Sequence, residues 1–266
     1  MFTRRCWEGG LLSRFRHLLG WDFRNLLRFP MLELLVGIAV YLSVLTGYGG
    51  GPSESPYSIV RHIVWHFQSE VVSLYVPTLF AAVVFASVGV AREIEAGYVK
   101  VVLSNPVRRR DLFLAKFAGC FLSTLGILTC AVFATMFLQN WSVSKYIVSF
   151  PAMILEVFVL LVLQTFFVCC VATAVAVFSK NTAISFIGSF GILYLPDYMS
   201  RLAGVKIPFV PPESTELFSL YLKSDLVFWR QYDLTTLLGA TVVPVLIAVS
   251  LLLMAFMYFT RRYDVV

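Results

Sequence analysis

The chain has 266 residues, 59% of them hydrophobic and only 14% charged, with a formal net charge of +6. Soluble globular domains carry about 25% charged residues, so a mean hydropathy of +0.83 excludes a water-surrounded fold for most of this sequence. The positive residues gather at the ends of apolar runs, and neither an arginine-rich recognition helix nor zinc-finger spacing is present, so the basicity reads as membrane topology and not as nucleic-acid binding.

The elements follow in chain order. Residues 1–28 are expected to form an N-terminal region with an amphipathic interfacial helix over 11–28. Leu11, Phe15, Leu18, Leu19, Phe23, Leu26 and Leu27 recur at helical spacing, while Arg14, His17, Arg24 and Arg28 fall mostly on the opposite side. Trp21 suits headgroup depth, and Pro30 marks a bend into the first span. Residues 29–266 read as a single all-α domain with six transmembrane helices. A membrane-spanning helix needs roughly 20 mostly apolar residues, and the expected spans are 31–48, 71–91, 112–138, 147–178, 182–195 and 234–259. The ten-residue alternation of a β-barrel is absent. The first apolar run starts too late, and is too long, for a cleaved leader, so it reads as a retained helix. Pro77 is a possible kink in the second span. Residues 196–233, with Pro208, Pro211 and Pro212, hold apolar pieces too short to cross; they read as short re-entrant or interfacial outer helices between spans 5 and 6.

Orientation follows from lysine and arginine. The N-terminal region carries Arg4, Arg5, Arg14, Arg16, Arg24 and Arg28. On the same side lie Arg92, Lys100, Arg108, Arg109, Arg110 and Lys116, then Lys180, Arg261 and Arg262. The opposite side has Arg61, Lys145, Arg201, Lys206, Lys223 and Arg230. The split alternates as six spans require and predicts a multi-pass protein of the cell membrane with both termini cytoplasmic.

Catalytic chemistry is not legible. There is no phosphate-binding loop of the G-x-x-x-x-G-K-[ST] type, no H-E-x-x-H, and no nucleophile with a base and an orienting acid. No catalytic, cofactor or metal residues are therefore assigned. His62, His66 and Glu70 share helical spacing, a weak metal signal outweighed by an interfacial polar cluster. Cys6, Cys120, Cys130, Cys169 and Cys170 form no C-x-x-C pair and read as small buried hydrophobes. Intramembrane charge is sparse: Glu33 lies near basic neighbours, whereas Glu156 has none nearby in sequence and is a translocation or structural polar site, with Gln164 as one possible partner.

The most informative stretch is 91–117, AREIEAGYVKVVLSNPVRRRDLFLAKF. Charged residues follow the second span, Gly97 interrupts, a short apolar piece runs from Tyr98 to Leu103, and Ser104, Asn105 and Pro106 make a turn before the next helix. On the residues alone, that apolar piece could lie on the bilayer or dock into a soluble partner. The stretch resembles the signature of the permease subunits of type-2 ABC transporters. Arg92, Glu93, Glu95, Gly97, Val102, Leu103, Ser104, Pro106, Arg109, Leu112 and Lys116 match it. Asn105, Tyr98 and Ala115 depart from it. The interfacial helix, six spans and the aromatic-arginine-arginine-acid tail at 259–264 are also similar to that family.

The resemblance implies a permease, itself no enzyme, that exports a substrate using ATP hydrolysed by a separate cytoplasmic ABC ATPase dimer. ATP and Mg would bind that partner, and this chain would bind no cofactor directly. It further implies a coupling segment over 92–111, in which Arg92, Glu93, Glu95, Gly97, Tyr98, Val99, Lys100 and Leu103 face the ATPase. Ser104, Pro106, Arg109 and Lys116 would form the turn and the following helix. A second permease copy or a similar subunit, and membrane lipids, complete the expected partners. Two alternatives remain: a subunit transmitting ATP-driven motion to an extracytoplasmic partner, and an ATP-independent carrier.

Overall fold

The computed structural model describes residues 75–103, 107–139, 151–203 and 234–262, together with Leu19, Gly20, Arg24, Glu33, Gly37 and Val148. Among these residues every regular element is helical. Helix α1 (Tyr75–Ala86) passes through a π-helical turn (Ser87–Ala91) into α2 (Arg92–Glu95). Then come α3 (Tyr98–Leu103), α4 (Arg109–Gln139), α5 (Pro151–Ser179), α6 (Thr182–Ala203) and α7 (Leu234–Arg262). Four stretches are long and apolar enough to cross a membrane: Tyr75–Glu95, Arg109–Phe133, Val157–Ser179 and Val242–Arg261. Thr182–Pro196 is a shorter apolar helix. They correspond to the expected spans 2, 3, 4, 6 and 5. The expected first span and interfacial helix lie outside the described residues apart from the isolated positions named above.

α5 is the axis of the bundle and packs against α1, α4, α6 and α7. Its sequence explains that position. Apolar residues surround it on all sides, so it has no polar face to present. Leu160, Leu161, Val168, Cys169 and Ala172 are fully buried on it. Pro151 opens this helix, where the missing N–H has no intrahelical partner to lose. α7 has the opposite character: Leu246, Leu253, Met254 and Met257 are exposed along it, as suits a helix bordered by lipid.

Two boundaries differ from the sequence reading. Helix α6 does not stop at Leu195 but continues through Pro196 to Ala203, so the expected outer segment begins inside a helix. Proline removes one backbone donor, and membrane helices tolerate this where neighbouring groups re-satisfy the freed carbonyl; Pro244 is accommodated likewise inside α7. The second departure is the π-turn. The Arg92 N–H donates to the Ser87 carbonyl, five residues back rather than four, while the flanking residues keep right-handed helical dihedrals. The helix therefore continues without a break but with one residue more in that turn.

α1 with its π-turn and α6 run antiparallel and are joined by buried polar contacts. The Tyr75 hydroxyl donates to the Leu193 carbonyl at 2.9 Å. The hydroxyls of Ser87 and Ser185 lie 3.0 Å apart. Such bonds contribute about 0.6 kcal/mol each between membrane helices, less than packing but directional enough to fix the relative register of two helices.

Candidate coupling site at the charged end of the bundle

The charged residues of 92–116 meet the 179–182 turn and the last turns of α7 at one end of the bundle. Local structure there begins with Gly97. Ala96 closes α2, and Gly97 adopts φ +70°, with its N–H donating to the Ile94 carbonyl at 3.1 Å. This is a left-handed helix cap, for which glycine carries no Cβ penalty. The chain turns at Gly97 and restarts as α3, so Tyr98–Leu103 is a separate helix and not a continuation of span 2.

α3 has two distinct sides. Val99 is only 4% exposed and belongs to the buried core, and Val102 and Leu103 pack against that core. Tyr98 and Val101 are 39% and 62% exposed, and Arg92 and Lys100 are exposed as well. Of the apolar residues expected to face a partner, Val99 and Leu103 therefore anchor the segment to its own protein, while Tyr98 remains outward. Val101, not singled out by sequence, is the most exposed apolar residue of α3.

The carboxylates are turned to internal use. Glu93 accepts from Lys116 at 2.7 Å, with side-chain exposures of 18% and 7% respectively, which joins α2 to α4. Glu95 reaches across the bundle to the start of α6. Its Oε2 accepts from the Thr182 hydroxyl at 2.6 Å and from the Thr182 N–H at 2.9 Å, and its Oε1 accepts from Asn181 Nδ2 at 2.9 Å. Asn181 in turn caps the same helix, its Oδ1 accepting from the Ile184 N–H at 3.1 Å. One helix N-terminus thus has two of its open donors satisfied, one by a residue 87 positions earlier. The bonds from the Thr182 hydroxyl, then from its N–H, hold the Glu95 carboxyl below its ordinary pKa.

Two further contacts complete the junction. Arg109 donates to the Thr260 carbonyl in the last turns of α7 at 3.3 Å, where the helix dipole favours a cation. Lys180, in a left-handed conformation at φ 53°, lies 5.2 Å from the Tyr258 ring centroid, a cation–π distance. The ends of α2, α4, α6 and α7 are thereby tied by side chains. A crevice beneath them is lined by Gly89, Val90, Val99, Phe113, Lys116 and Thr173, among others.

Other expected positions divide as follows. Ser104 and Pro106, His62, His66 and Glu70 lie outside the described residues. Glu156 stands in the second turn of α5, with its side chain outside them. Gln164 Nε2 donates to Thr78 Oγ1 at 3.4 Å, and its Oε1 has no hydrogen-bond partner among the described residues. Cys120, Cys169 and Cys170 are buried as expected, whereas Cys130 is exposed on α4 and is not part of the core. No group of three or more metal-binding side chains occurs among the described residues. Asn181, Thr182 and Thr260 did not emerge from sequence. For the first two a signal existed, since Asn ahead of an apolar helical run is an N-cap pattern; the identity of the distant carboxylate had none.

A bundle of long apolar helices with its charges gathered at one end is the architecture of a multi-pass membrane protein. The chain belongs to the ABC-2 transporter family: the family model described as ABC-2 family transporter protein matches residues 22–212, more than half of the chain. No curated protein and no solved structure matches it.

Proposed function

We propose that this chain is the permease of an ATP-driven exporter, and that α2 and α3 receive the motion of a separate cytoplasmic ABC ATPase. The charged end is then the cytoplasmic one, in keeping with its excess of lysine and arginine. The observation that carries the reading is the two-sidedness of α3: Tyr98, Lys100 and Val101 outward, Val99 inward. A helix held on one side by the bundle and exposed on the other suits a part that is pushed.

The internal ties give the push a route. Nucleotide-driven closure changes a permease only where the two shapes are differently stabilised. Displacing α2 strains the Glu93–Lys116 and Glu95–Thr182 contacts together, so motion passes to spans 3 and 5 as well as along span 2. A substrate path bordered by spans 2 and 5 would then change shape, and a second permease copy or a similar subunit would supply the other wall.

Tyr98→Asp and Val101→Asp test the reading, compared with Val99→Asp. The first two are expected to fold with near-normal thermal midpoints yet lose the copurifying ATPase and ATP-dependent flux. Val99→Asp places a charge in the core and is expected to lower the midpoint itself. Retention of a fully stimulated ATPase by both outward variants would remove α3 from the coupling role.

A further inference from the structure

We propose that the surface offered to the ATPase is cationic around an apolar centre, and that the partner's receiving groove is therefore lined by carboxylates. The proposal rests on the coupling reading above and adds the chemistry of the partner to it.

By sequence, 92–111 holds both signs of charge, with Glu93, Glu95 and Asp111 among five arginines and lysines. The fold treats them unequally. Glu93 is taken by Lys116. Glu95 stays exposed and keeps its charge, with three of its about four acceptor positions engaged by Asn181 and Thr182. Arg109 is turned toward the end of α7, and Asp111 is half-buried at the start of α4. Arg92, Lys100, Arg108 and Arg110 stay exposed. Between them along the chain stand Tyr98 and Val101, the outward apolar pair of α3. Among the described residues of 92–111, four exposed cations against the one exposed carboxylate of Glu95 leave a net positive surface on which Tyr98 and Val101 are also exposed. Opposite charges in a receiving groove would steer association and fix its register, and like charges would oppose it.

An anionic lipid surface has a related chemistry. Family membership favours the ATPase, because an ABC-2 permease works with one, and the experiment separates the two. Full-length chain is purified with the ATPase that accompanies it from its native membrane, alongside Lys100→Glu and Arg110→Glu. ATPase retention is followed as salt rises from about 50 mM to about 500 mM, a range that shortens electrostatic reach severalfold. Lys100 is mapped with an amine-reactive reagent and mass spectrometry. The expected result is salt-sensitive retention, weakening of about tenfold or more in each reversal, and protection of Lys100 only in the complex. Both reversed positions are exposed, so unchanged thermal midpoints should accompany the loss.

Salt-insensitive retention with both reversals binding as wild type would overturn the acidic groove and leave the coupling reading intact. Absence of any ATPase on the wild-type chain would instead remove the coupling reading itself. Protection of Lys100 by vesicles of equal phosphatidylglycerol and phosphatidylcholine, with no ATPase added, would assign the face to lipid and overturn the proposal.

Discussion

Replacing Glu93 by alanine takes a carboxylate 2.7 Å away from the Lys116 ammonium. Breaking a fully buried ion pair from one side costs about 3–5 kcal/mol, because the remaining charge has lost both water and partner. Here Lys116 is 7% exposed but Glu93 is 18% exposed, so solvent screens part of the interaction and the expected cost is about 2–3 kcal/mol. For a chain of this size each kcal/mol moves the midpoint by about 2–4 °C, giving a fall of about 4–12 °C. Glu93→Leu combined with Lys116→Met removes both charges and leaves apolar groups of similar bulk, so it should recover at least half of that fall. The assay is thermal unfolding of the purified chain in one detergent at one scan rate, for the wild type, Glu93→Ala, the component singles Glu93→Leu and Lys116→Met, and the double. A Glu93→Ala shift below about 2 °C, or a double variant equal to the sum of the singles, would refute the idea that this contact holds α2 to α4.

Glu95 predicts a pH dependence. Its folded pKa is depressed by Thr182, so its contribution is complete above the unfolded carboxylate value and is lost as pH falls through the lower folded value; a cysteine cross-link reporting the α2–α6 distance should therefore loosen on acidification in wild type, and the step should be missing in Glu95→Gln. At Gly97 a Cβ meets nothing within 4 Å, so Gly97→Ala bears only backbone strain of about 1–2 kcal/mol. Gly97→Asn should cost less, and an alanine variant as stable as asparagine would argue against the left-handed cap. Gln164 is buried and its carbonyl oxygen has no partner among the described residues, so Gln164→Leu should leave the midpoint unchanged or raise it by a few degrees; a fall would show that the amide has a partner of more consequence than Thr78.

Much of the helix layout was written in apolar length. The long runs ending near Ala91, Phe178 and Phe259 needed only counting, because a helix that crosses lipid leaves little room for polar residues. The stretch over 92–111 stood out because charges, a glycine and a mostly apolar hexapeptide are unusual neighbours. Its inner workings were less legible. Glu93 and Glu95 look equivalent in sequence, two acids on one short helix, yet one meets α4 and the other α6. Which partner each finds depends on how distant helices cross, and no local pattern carries that. Tyr98, Val99 and Val101 likewise need the position of the bundle before inward and outward can be told apart. Pro196 misled for a simpler reason: it ends helices in water more readily than in protein-lined membrane.

The π-turn in span 2 has a consequence for phase. Ser87 and Glu95 both address α6, through Ser185 and Thr182. At about 100° per residue, the eight steps between them would carry Glu95 about 80° past Ser87 in an unbroken α-helix. Absorbing one residue in the wider turn takes back about 100°, which leaves the two side chains within about 20° of a common line. The turn thus has the form of a one-residue insertion healed in place, with its angular error confined to 87–91. What that stretch must conserve is a count: one residue fewer would restore ordinary helix and keep both contacts in line, whereas one more would swing Glu95 away from the helix it caps.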